Sequence, residues 1–161
     1  MTDEIQDSLQ HIGQLALASV PTDEWHVITI KAKAIISYVE LDIDFVHHIK
    51  QAASKTFLIE DDDLPYDEQT TPTFERLRQL MFNEAPFRGA WYTAVMTITH
   101  DGKFDTEFDY DNKPSFEYTS EDGEYAQDFE HFPRNEESTP DWLRLIVQQH
   151  GLKYHIPELL G

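Results

Sequence analysis

The 161-residue chain contains no cysteine. That excludes disulfide frameworks, thiol catalysis and cysteine-based zinc sites. Basic residues are scarce: 12 Lys+Arg stand against 31 Asp+Glu, a formal net charge of −19. Nucleic acids and anionic membranes repel such a chain, so neither is expected as a direct partner. No apolar run approaches the ~18 residues of a membrane span. The opening MTDEIQDSLQ is acidic and polar, unlike a secretory signal. Missing too are G-x-S-x-G, a phosphate loop, a dinucleotide fingerprint and H-E-x-x-H, so no cofactor is expected. What is present is 40% hydrophobic content, with 12% of the residues aromatic. That suffices for a core, and a chain of this length buries roughly 68–70% of its unfolded surface. A single domain over residues 1–161, soluble and cytoplasmic, is the expectation.

The apolar spacing predicts the elements. Ile5, Leu9, Ile12, Leu15 or Ala16, and Val20 recur at helical steps over residues 3–20. Thr2 stands where a cap belongs, Asp3 and Glu4 occupy the first turn, and Pro21 ends the run. Residues 25–33 alternate as a strand. Residues 35–46 repeat the pattern, with Val39, Leu41, Ile43 and Phe45 on one side and Glu40, Asp42 and Asp44 on the other. Residues 56–59 suggest a third strand, followed by the acidic run 60–63. A second helix is predicted over 72–85 with Thr71 as cap, Pro72 first, and an apolar face of Phe74, Leu77, Leu80 and Met81.

Residues 90–99 and 103–111 alternate around Asp101-Gly102, a strong hairpin signal. Residues 112–138 are polar yet rich in aromatics, which predicts a long ordered loop packed on the body. A last helix is expected over 140–150, capped by Thr139. The order α-β-β-β-α-β-β-α implies an α+β domain: an antiparallel sheet of about five strands with helices packed on one face.

The second hairpin arm carries the chemistry. Phe104, Thr106, Phe108 and Tyr110 share one side; Asp105, Glu107, Asp109 and Asp111 share the other. A row of like charges repels itself and is easier to understand opposite a cation or a basic partner. Calcium fits poorly, because Lys113 and Pro114 stand where a calcium loop needs a ligand and a turn. Asp101-Gly102-Lys103 matches the end of a nuclease metal motif only superficially, since a hairpin turn explains it. His47 and His48 are adjacent, so on a strand they face opposite ways. No metal site is expected. The competing reading is a small metal-binding regulator or metal-dependent hydrolase using the carboxylates of 105–111.

Several stretches together resemble the YezG-like immunity proteins, antitoxins of bacterial polymorphic toxins. They are Val20-Pro21-Thr22-Asp23-Glu24-Trp25, Phe74-Glu75-Arg76-Leu77-Arg78 with Trp91, and Asp101-Gly102-Lys103-Phe104 with Phe108-Asp109-Tyr110-Asp111. The resemblance covers residues 1–112 in outline, and segment 46–56 departs from the pattern. It implies a non-enzymatic protein that binds the C-terminal domain of a cognate toxin, a basic nuclease in the best-known branch. Under that reading the acidic row Asp105, Glu107, Asp109 and Asp111 meets the toxin's basic residues. The loop 117–130 adds Glu117, Glu121, Asp122, Glu124, Asp128 and Glu130, with Tyr118 and Tyr125 as anchors. The run 60–63 is the second candidate surface.

Overall fold

The computed structural model describes residues 2–20, 24–47, 54–58 and 70–156. The class is α+β, with an antiparallel sheet and, among the described residues, four α-helices. Helix α1 spans Asp3–Ser19, and the Thr2 hydroxyl accepts from the Ile5 N–H at 3.3 Å, supplying the expected cap. Its buried face is Ile5, Leu9, Ile12 and Ala16.

Strand β1 (Trp25–Ile35) turns through residues 36–37 into β2 (Tyr38–His47), with Ile35 opposite Tyr38. Ile28, Ile30, Ala32 and Ala34 point into the core; Thr29, Lys31 and Lys33 point away. Segment β3 (Ser54–Leu58) pairs along β2. Helix α2 (Thr70–Glu84) begins earlier than the sequence predicts, leaving Pro72 in the first turn, where its missing N–H costs nothing. Phe74 and Leu77 are buried. A single 3-10 turn (Pro86–Arg88) then leads to Gly89, which has φ 71°.

Strands β4 (Thr93–Thr99) and β5 (Phe104–Asp109) form the expected hairpin. The Gly102 N–H donates to Thr99 O, and Gly102 takes φ 93°, a conformation suited to glycine. Within the sheet β2, β1, β4 and β5 lie side by side in that order. No helix among the described residues is long and apolar enough to cross a membrane.

Three expectations are corrected. The segment 112–138 is not loop throughout: α3 occupies Asp122–His131, so two helices close the chain, α3 and α4 (Asp141–Gln149). Nor do all helices share one face. α1 and α2 cover the core side of the sheet, whereas α3 and α4 pack around Ile35 and Tyr92, where β1 ends and β4 begins. Pro140, rather than Thr139, takes the cap position of α4; the Thr139 hydroxyl instead donates to Asn135 O at 2.7 Å.

One ion pair joins the two cores. Arg78 of α2 grips Asp128 of α3 through Nη1–Oδ1 at 2.5 Å and Nη2–Oδ2 at 2.9 Å, and Arg78 Nε donates to Trp91 O at 2.7 Å. Both side chains are 3% exposed.

Candidate functional site

Strand alternation and sheet order together build one open face. Lys31 of β1 lies opposite Asp42 of β2 on one side and Val95 of β4 on the other, and Val95 lies opposite Glu107 of β5. The flanking rows read Asp44, Thr29, Thr97, Asp105 and Glu40, Lys33, Thr93, Asp109. Six carboxylates on β2 and β5 thus flank two lysines on β1. Asp105, Glu107 and Asp109 come from the predicted row. Glu40, Asp42 and Asp44 alternate just as clearly in the sequence, but only the strand order places them on the same face.

The carboxylates do different work. Glu40 is sealed: it accepts the Glu117 N–H at 3.0 Å and pairs with Lys33 at 3.4 Å, and Lys33 also donates to Ser115 O. Segment 112–118 therefore folds over this end of the face. Partial burial raises the Asp42 pKa; Lys33 opposes the rise, and Glu40 and Asp44 add to it. Asp109 anchors a turn. Its carboxylate accepts from the Asp111 N–H (2.9 Å), the Asn112 N–H (3.0 Å) and Asn112 Nδ2 (2.8 Å). Partial burial pushes the Asp109 pKa up, but these hydrogen bonds prevail and hold it below the usual carboxylate value. Asp105 and Glu107 are exposed, and no cation among the described residues pairs with either. Beside them lies a cavity of about 530 Å³ lined by Lys31, Arg88, Val95, Glu107, Asp109 and Asp111.

The remaining candidates divide between surface and interior. Asp111, Glu117, Asp122 and Glu130 are exposed. The Asp111 carbonyl accepts from Trp142 Nε1 at 2.7 Å. Glu121 and Glu124 form a capping box that starts α3, and Glu124 also accepts from the Tyr118 hydroxyl at 3.1 Å. Tyr118 is half-buried against Tyr38 and Phe116. Burial and the bond to Glu124 raise its pKa to about 12. Tyr125 and Asp128 do not lie on a surface loop: Tyr125 is fully buried in the second core, and Asp128 is committed to Arg78. The amphipathic spacing of α3 turns both inward. The run 60–63 lies outside the described residues.

Among the described residues, no three His, Cys, Asp or Glu side chains converge to hold a metal ion. Alternate residues of one strand are spaced too widely, and Asp109 is already engaged. What the face can do is attract and orient positive charge over an area wider than any one side chain. In comparisons with known proteins, no family model and no curated protein sequence matches this chain.

Proposed function

We propose that this protein is an immunity protein that neutralises a bacterial toxin, a basic nuclease domain, by covering its substrate-binding surface. It acts by binding, not catalysis, and works in the cytoplasm beside the toxin. The observation that carries the reading is the open sheet face, where carboxylates from β2 and β5 converge on a chain of net charge −19. A nuclease must be basic where it grips phosphates, so a broad acidic face complements it and speeds encounter. In this reading the sheet counts five strands, with Ser54–Leu58 extending it beyond β2. The resemblance to YezG-like immunity proteins in residues 101–111 points the same way.

The face is centred on Asp105, Glu107 and Asp111, with Asp42 and Asp44 across the sheet and Glu117, Asp122 and Glu130 around it. Reversing Asp105 and Glu107 together to lysine tests this. Both side chains are exposed, so the fold should stand. The association rate with the toxin domain should fall about tenfold or more at low salt, and its salt dependence should flatten. An unchanged rate and slope would place the partner elsewhere.

A further inference from the structure

Among the described residues, strand β5 is an edge of the sheet. Thr99 N–H donates to Lys103 O, which makes that pair a hydrogen-bonded one. Antiparallel pairing alternates, so Asp105, Glu107 and Asp109 turn their backbone groups toward β4. Phe104, Thr106 and Phe108 therefore turn theirs outward, and no strand among the described residues meets them. Natural edges are usually blunted by proline, by lysine or by a bulge. β5 has none of these within its six residues and keeps an unbroken register with β4. Its carboxylates repel the same edge of a second copy, but not a basic strand.

The two sides of this edge differ sharply. On the open face stand Asp105 and Glu107. On the opposite side an apolar groove of about 430 Å³ runs between α1 and β5, lined by Leu9, Gly13, Leu17, Ile98 and Phe104. Leu17 is 46% and Phe104 38% exposed. Gly13 lines the groove without a side chain; a Cβ there would make only ordinary contact with the Phe104 ring, at 3.5 Å.

We propose that a strand of the basic partner adds antiparallel to β5, alternating Lys or Arg with apolar residues. This rests on the immunity reading and specifies how the partner is held. Opposite Phe104, Thr106 and Phe108 sit the partner's apolar residues, whose N–H groups point at β5. Opposite Asp105 and Glu107 sit its basic residues, in the non-hydrogen-bonded pairs where side chains come closest. Backbone pairing supplies affinity, and the alternating sides supply specificity.

The test uses four nine-residue synthetic peptides: one alternating Lys and Val, one of equal composition with its lysines grouped, and two alternating ones N-methylated on Val or on Lys. Binding and site-resolved amide exchange are measured on the intact protein at low salt. The alternating and Lys-methylated peptides should slow exchange at Phe104, Thr106 and Phe108 about tenfold. The grouped and Val-methylated ones should not. Equal binding of all four without that slowing would overturn strand addition and leave the acidic face standing. Binding of none would overturn both. Protection of the same amides without peptide, rising with protein concentration, would assign the edge to a second copy and overturn the proposal.

Discussion

Substituting Asp128→Asn removes one charge and almost no volume. In the folded protein Arg78 then keeps its place among Trp91, Tyr92 and Phe132, with its Cζ 4.8 Å from the Phe132 ring centroid, but without a counter-ion. Both partners are 3% exposed, so water cannot replace the lost carboxylate. Breaking a buried pair from one side costs about 3–5 kcal/mol. For a domain of 150–250 residues, 1 kcal/mol moves Tm by about 2–4 °C, so Tm should fall by roughly 6–20 °C. Thermal melts followed by circular dichroism, with urea titration at 25 °C, measure both numbers. The double variant Arg78→Met with Asp128→Leu should recover much of the loss, because neither charge is then stranded. Some deficit should remain, since the Trp91 carbonyl loses its donor. A loss below about 1 kcal/mol for Asp128→Asn would refute the view of this pair as the dry bolt between the two cores.

Other outcomes follow from single sites. Gly89→Ala meets both a φ of 71° and the Arg134 Cγ, which the new Cβ would overlap, so it should destabilise the fold by about 2–5 kcal/mol in urea titration. Gly123→Ala, with nothing within 4 Å of the added Cβ, is the control and should change little. The Asp109 carboxyl titrates below its ordinary value of about 3.9. Its contribution to stability is thus fully present above that value and lost as pH falls through the lower folded one. Asp109→Asn should flatten the dependence of stability on pH below about 4, as read from urea midpoints between pH 2 and 6. Burial raises the pKa values of Tyr38, Tyr92, Tyr110, Tyr118 and Tyr125, so absorbance at alkaline pH should show these five phenolates forming above pH 10, that of Tyr118 at about 12.

Local pattern made much of this molecule legible. Thr2 and the spacing of Ile5, Leu9 and Ile12 specify α1, and Asp101-Gly102 marks the tight hairpin. Helix α3 stayed hidden for physical reasons. Its cap is Glu121 rather than Ser or Thr, Gly123 sits in its first turn, and Asp128 interrupts its apolar stripe of Tyr125, Ala126 and Phe129. Only the distant Arg78 explains a carboxylate at a core position, and no local period carries a contact across fifty residues. The same limit applies to the acidic face. Each strand's alternation is visible, but which strands lie side by side is decided by packing. The sequence therefore points to Asp105 and Glu107 without joining them to Asp42 and Asp44, and it draws Asp128 toward a surface it does not reach.

The central claim is that this chain silences a toxin by binding it. Co-expression with the protein encoded beside it, followed by pull-down and a nuclease assay, tests that most directly. The account predicts a stable, inactive complex whose DNA or RNA cleavage returns once this chain is stripped away. A neighbour that forms no complex and cleaves no nucleic acid would contradict it.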